Sequence, residues 1–299
     1  MTGENFYKHY TCLWTGHLMD TRGAAVRIWV GLWYIAYVVL RVLLRLLMGK
    51  RRRSWVLSLL GLHYSRGYSV KYGSLFSRYE PAVSRVVRKV LGNNRSRTFI
   101  DVGAFIGYYT LYAYSILRKK GEVFSIVAVE PEPRNYEILR NRVVSIQNIM
   151  LVNEAVFIKD GETVEFQIGT SRVWLDDLAD AGSVSPTMWH VKEGFLSGEK
   201  IRVQSVRLDT LIRRFGFERV DLVKMDIEGA EYPVLTDPSL DLSKVENMVV
   251  EVHYGFGSRE SREIMRALAM HGFKIVPLYP NQTSDRYYTL LACRGELSW

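Results

Sequence analysis

Asp101, Glu130, Glu154, Asp226 and His253 each stand at or beside the end of a short apolar run, where an α/β chain keeps the side chains that meet a ligand. The first lies in Asp101-Val102-Gly103-Ala104-Phe105-Ile106-Gly107. Gly103 permits a sharp turn after the run, and Gly107 lets a ligand approach the start of the next segment. The spacing is not Gly-x-Gly-x-x-Gly. A turn that begins from an acid suits the amino group of an amino-acid moiety better than a pyrophosphate, although an ordinary strand-to-helix turn would read the same way. Glu130 follows Asp101 by 29 residues and can accept hydrogen bonds from both hydroxyls of a ribose. Glu154, in Asn153-Glu154-Ala155, either reaches an adenine amino group or is a solvated loop carboxylate. Three acidic run ends in this order point to S-adenosylmethionine rather than to a nicotinamide dinucleotide.

Further along, Lys224 and Asp226 are two residues apart, as are Glu251 and His253, so each pair shares a face of a regular strand. Methyl transfer from a sulfonium is an in-line displacement, in which orienting the acceptor does much of the work. A sugar hydroxyl has a high pKa, and a group that takes its proton assists the reaction. The expectation is that Asp226 positions substrate or cofactor and that His253 or Glu231 assists deprotonation. A purely structural arrangement would pair Lys224 with Glu251 and let Glu228 and Glu231 open an acidic helix. Asp226, Glu228 and His253 are hard or borderline metal ligands, yet their spacing matches no metal motif, and no metal is assigned.

The elements that must hold these residues alternate. Apolar runs at 98–102, 125–130, 149–156, 221–226 and 247–253 read as principal strands. Helical spacing follows at 107–117, 135–146 and 258–271, with a short helix at 208–215. An alternating strand at 164–168 and two closing strands at 273–278 and 287–294 complete the set. Strands alternating with helices imply a mainly parallel sheet covered on both faces. Residues 171–200 interrupt the alternation, and Trp174, Trp189 and His190 there form either an acceptor-side wall or a packed flap.

The strings DVGAFIGYYTL, VAVEPEPRNYEIL, LDTL and especially VDLVKMDIEGAEYPVL resemble the FkbM-type S-adenosylmethionine-dependent methyltransferases. The similarity runs from about Tyr79 to Cys293, and Lys-x-Asp-x-Glu-Gly-x-Glu, Lys224 to Glu231, is its most specific part. The resemblance implies a class I methyltransferase-like (Rossmann-like) fold, a mainly parallel seven-stranded sheet with helices on both faces. It also implies O-methylation, often of sugar hydroxyls in glycans, glycolipids or secondary metabolites. Asp101, Gly103 and Gly107 would line the cofactor pocket, Glu130 would hold the ribose, and Asp226 would sit beside the reaction centre. Phe105 departs from the pattern, which commonly has Asn after the alanine, and that puts a hydrogen bond near the methionine end in doubt.

The chain of 299 residues has ordinary globular composition, and its two cysteines exclude a disulfide scaffold or a Cys-rich zinc cluster. Residues 1–79 carry 12 Lys and Arg against Glu4 and Asp20, whereas residues 80–299 carry 28 against 29 acids. The positive charge therefore serves one segment. Residues 24–48 are apolar apart from Arg27, Arg41 and Arg45, and the run Lys50–Arg53 follows. The three arginines fall within about 40° of one another on a helix, beside a wide apolar face. That pattern fits an interfacial helix at an anionic lipid surface, or a spanning helix whose arginines snorkel; a soluble helix packed on another surface is the alternative. The expected organisation is thus a membrane-association segment at 1–53, a connector at 54–80 and a methyltransferase domain at 81–299, membrane-associated with the catalytic domain cytoplasmic. The expected acceptor is a sugar or lipid-linked saccharide. Nucleic acid is not the expected partner, because the acidic string after Asp226 repels phosphate. A nucleic-acid methyltransferase and a tethered, non-catalytic binding module are the competing readings.

Overall fold

The computed structural model describes residues 81–172, 180–183, 196–278 and 287–295. The segments expected at 1–53 and 54–80, and Trp174, Trp189 and His190, lie outside the described residues. No described helix is long and apolar enough to cross a membrane.

Helix α1 (Pro81–Gly92) buries Val83, Val86, Val87 and Val90, the stripe that helical spacing demands. Strand β1 (Thr98–Val102) leads through a turn into α2 (Tyr108–Leu117), and β2 (Ser125–Val129) into α3 (Pro133–Val143). Glu132 caps α3 by accepting from the Asn135 amide at 2.7 Å, with Pro133 at the first helical position. Next come β3 (Ile149–Val152), β4 (Ala155–Val156), β5 (Thr163–Arg172), β6 (Asp180–Ser183) and β7 (Leu196–Val206). The chain continues through α4 (Leu208–Arg214), β8 (Leu222–Met225), α5 (Glu231–Leu235), β9 (Asn247–Val252) and α6 (Arg259–Met270), ending in β10 (Lys274–Pro277) and β11 (Tyr288–Cys293).

Seven strands form the main sheet in the order β10-β11-β9-β8-β1-β2-β3. All pairings are parallel except those of β11, which runs antiparallel to both neighbours. This is the expected class I methyltransferase-like sheet. Alternate residues feed two cores: Ile100, Val102, Val127 and Val129 pack with α4, α5 and α6, while Phe99, Ile126 and Ala128 pack with α1, α2 and α3. The run expected as one strand at 149–156 is two: Asn153 and Glu154 break it, and β4 leaves for a second sheet ordered β4-β7-β5-β6. The second sheet occupies the region where the sequence loses its alternation.

The chain departs from β1 toward β2 and β3 on one side and returns through β8 and β9 on the other. A crevice opens at such a switch point, at the carboxyl ends of β1 and β8.

Candidate active site

At that crevice the backbones of β1 and β8 nearly touch. A Cβ on Gly103, whose φ is +73°, would lie 1.8 Å from the Asp226 carbonyl oxygen, so only glycine fits the turn. Gly107 also has positive φ, at +91°, and caps α2; a Cβ there would meet Leu139 Cδ1 of α3 at 2.6 Å. Its bareness thus serves helix packing.

Asp101 and Lys224 are register partners in β1 and β8 and point to the same face. Asp101 is 1% exposed. Its Oδ2 accepts from Thr110 Oγ1 at 2.6 Å, whereas its buried Oδ1 accepts no hydrogen bond and lies 4.0 Å from Lys224 Nζ. Burial raises the Asp101 pKa, against the opposing pull of Lys224 and Thr110. Lys224 Nζ also donates to the Gly103 carbonyl at 3.1 Å and to Asp226 Oδ2 at 3.2 Å. One ammonium thus joins the turn after β1 to the carboxylate after β8.

Glu130, 5% exposed at the end of β2, accepts from the Phe105 amide at 2.8 Å and the Glu132 amide at 3.0 Å. Burial pushes its pKa up to about 7, although these amides and Asn135 favour the anion. The Phe105 bond comes from the backbone, with φ +52°, so the departure from Asn leaves it in place. At the end of β3, Asn153 Nδ2 donates to the Glu130 carbonyl at 2.8 Å, while the Glu154 carboxylate is paired with Arg214 of α4. Sequence reasoning passed over Asn153, Thr110 and Glu132. The polar residues flanking Glu130 and Glu154 were the available signal.

The second pair of strand ends carries a dense charge cluster. His253, 5% exposed, has Nδ1 3.0 Å from Glu231 Oε1. Its Nε2 lies 3.2 Å from Glu228 Oε2, 3.8 Å from Glu251 Oε1 and 3.9 Å from Asp226 Oδ1. Burial by itself would lower the His253 pKa, but Glu228, Glu231 and Glu251 outweigh it and raise it well above the usual value. Glu231 is wholly buried, and its two oxygens accept from the amides of Ile227 and Gly229, each at 3.0 Å. These bonds hold Glu228 in its left-handed conformation, φ +54°, aimed at the histidine. Asp226, Glu231 and His253 each offer a ligand atom within 4.8 Å of the others. The expected sharing of a face by Lys224 with Asp226, and by Glu251 with His253, is seen in both strands.

Residues 101–275 match the methyltransferase FkbM domain. The chain belongs to the FkbM methyltransferase family. Among relatives, methyltransferase sdnD of Sordaria araneosa is 26% identical over 237 residues, covering 69% of this chain and 85% of its own length. The AMB antimetabolite synthetase AmbE of Pseudomonas aeruginosa is 27% identical over 203 residues, which are 59% of this chain and 9% of that much longer protein. Among solved structures, Aeropyrum pernix fibrillarin with bound S-adenosyl-L-methionine aligns at 13% identity and TM-score 0.40, covering 66% of each chain. The N-terminal domain of human METTL16 with SAH aligns at 12% identity and TM-score 0.40, covering 72% of this chain and 70% of that one.

S-adenosylmethionine is the cofactor of this FkbM methyltransferase. The residues fit it: Asp101 Oδ1 is a buried acceptor with no hydrogen bond, Gly103 leaves the turn bare, and Glu130 is a buried carboxylate beside a strand end.

Proposed function

We propose that the protein is an O-methyltransferase of a sugar hydroxyl, in a glycan, glycolipid or lipid-linked saccharide, held at a membrane by residues 24–53. The observation that carries the reading is His253 set among Asp226, Glu228, Glu231 and Glu251 at the ends of β8 and β9. A hydroxyl acceptor must shed a proton, and this end of the crevice is built from proton acceptors. An anionic mouth also repels a phosphate backbone, which disfavours nucleic acid.

Asp101 and the Gly103 turn would take the amino-acid end of the cofactor, and Glu130 its ribose. When bound, S-adenosylmethionine supplies a methyl group on a sulfonium centre. The chain then has two tasks: to aim the hydroxyl and to take its proton. Asp226 does the first, since Lys224 fixes its Oδ2 and Oδ1 faces His253. With its pKa raised, His253 rests as the imidazolium, so the proton passes to a neighbouring carboxylate, Asp226 or Glu228. The histidine holds those carboxylates in place. Glu231 acts through it, as a positioning residue on Nδ1.

The test is calorimetric titration with S-adenosylmethionine beside Glu130→Ala, followed by labelled methyl transfer to a panel of saccharides, lipid-linked saccharides and RNA. Asp226→Ala is expected to retain the fold and cofactor binding while losing at least about 100-fold in turnover. Wild-type turnover in a folded Asp226→Ala protein would remove Asp226 from the mechanism. Transfer to RNA alone would overturn the acceptor class.

A further inference from the structure

The charge balance of residues 80–299 conceals a strong separation. Residues 81–97 hold Arg85, Arg88, Lys89, Arg95 and Arg97 with no acid, and residues 118–122 hold Arg118, Lys119 and Lys120 with Glu122 alone. The fold brings the two stretches together. Lys120 Nζ donates to the carbonyls of Asn93 and Ser96, the latter at 3.2 Å, and Arg97 pairs with Glu122. Arg88 Nε donates to Tyr112 Oη of α2 at 3.0 Å, and Arg118 lies over the Tyr114 ring at 5.5 Å. Burial lowers the Lys120 pKa, and the neighbouring Arg97 lowers it further, as crowding of like charge requires.

Residues 93–97 and 118–122 immediately precede β1 and β2, so the cations of this basic pole cap the amino ends of the sheet, and Arg88 and Arg85 continue the basic surface back along α1. The reaction centre lies at the carboxyl ends, roughly 17 Å away along five-residue strands. The catalytic mechanism therefore does not use these cations. Arg85, Arg88, Arg95, Arg118 and Lys119 are exposed, and Val123 beside them is 85% exposed.

We propose that this pole is a second membrane contact, an electrostatic footprint for anionic lipid headgroups on the catalytic domain itself. Long basic side chains around an exposed valine suit a headgroup layer, and the chain's other cationic segment, residues 24–53, has the same apolar-basic composition. A single-stranded nucleic acid would want exposed rings on which to stack bases. Here Tyr112 and Phe124 are buried, and Tyr114 is half-buried and covered by Arg118.

The experiment uses the full chain, sedimented with vesicles of pure phosphatidylcholine or of phosphatidylcholine with 30% phosphatidylserine by preparation. The comparison protein is the triple variant Arg85→Glu, Arg95→Glu, Lys119→Glu. Each basic residue near an anionic surface is worth on the order of fivefold in partitioning. The wild type is expected to favour the anionic vesicles, with salt abolishing the preference, and the variant to lose at least about tenfold of it. Partitioning to neutral vesicles, which reads residues 24–53 alone, should stay unchanged, as should the melting temperature and S-adenosylmethionine binding. No anionic preference in the wild type, or an undiminished one in the folded variant, overturns the proposal. So does a variant that loses binding to transfer RNA while keeping its vesicle preference. None of these outcomes bears on the acceptor, which is read from the methyl-transfer panel.

Discussion

Glu130 is a carboxylate whose pKa burial brings to about 7, and its proposed partner, a ribose, needs it as the anion. Below pH 7 each binding event must first remove its proton. Affinity for S-adenosylmethionine is therefore expected to fall about tenfold per pH unit between 7 and 5. Calorimetry across that range checks the slope, and Glu130→Gln should bind weakly at every pH without one. An affinity flat with pH in the wild type would mean that Glu130 does not hold the cofactor. Its place at a strand end was legible in the sequence; its pKa was not, because the burial that raises it exists only in the folded chain, and the Phe105 amide that opposes it comes from the turn after β1.

At the scale of elements, Arg207 ties the side sheet to the main one. It follows β7, and its guanidinium donates to Asp209 at 3.0 Å, Asp237 at 2.7 Å and the Ile158 carbonyl at 2.8 Å. Its pKa is raised because these two carboxylates overcome the effect of its burial. Arg207→Met would leave Asp209, which is 6% exposed, with only the partly exposed Arg213, 3.1 Å away, as its cation, and would take the cation from Asp237. The expected cost is roughly 3 kcal/mol, or about 6–12 °C in melting temperature, read by calorimetry. Local pattern revealed β1, β2, β8 and β9 because each is a short apolar run that one core or the other fills. It did not reveal β7. Alternation was present there, with Val203 and Ser205 buried and Arg202 and Gln204 exposed, but pairing with β5 joins residues 41 apart, as Thr163 with Gln204. The break between β3 and β4 is of the same kind: nothing apolar separates them, only Asn153 and Glu154 turning to partners elsewhere.

For the molecule as a whole, the buried groups Asp101, Glu130 and His253 push stability toward mild acid. The folded pKa values of Glu130 and His253 are both raised, so the stability each contributes is full below its unfolded pKa and is lost as pH rises through the folded value. For Glu130 that window runs from about 4.5 to about 7 and amounts to roughly 3 kcal/mol; for His253 it lies above 6.5. Asp160, Asp237 and Asp241 have lowered pKa values and lose their contribution only as pH falls below the usual carboxylate range. The melting temperature, followed by scanning calorimetry, is expected to peak near pH 5 and to decline toward pH 9; a maximum at pH 8 would contradict these environments. The mainly parallel seven-stranded sheet was implied by family likeness, whereas its strand order, with β11 inverted between β10 and β9, was legible in no residue pattern. The side sheet has one further consequence. Its first and last strands lie side by side, Ala155 opposite Ser205 and Val156 opposite Val206, so the excursion leaves and rejoins the body at neighbouring backbone points. Doubling the length of such a loop adds only about 0.6 kcal/mol of closure entropy. Residues 157–204 are thus a cartridge, one that evolution or an engineer can lengthen, trim or exchange while residues 98–130 and 222–253 are inherited untouched.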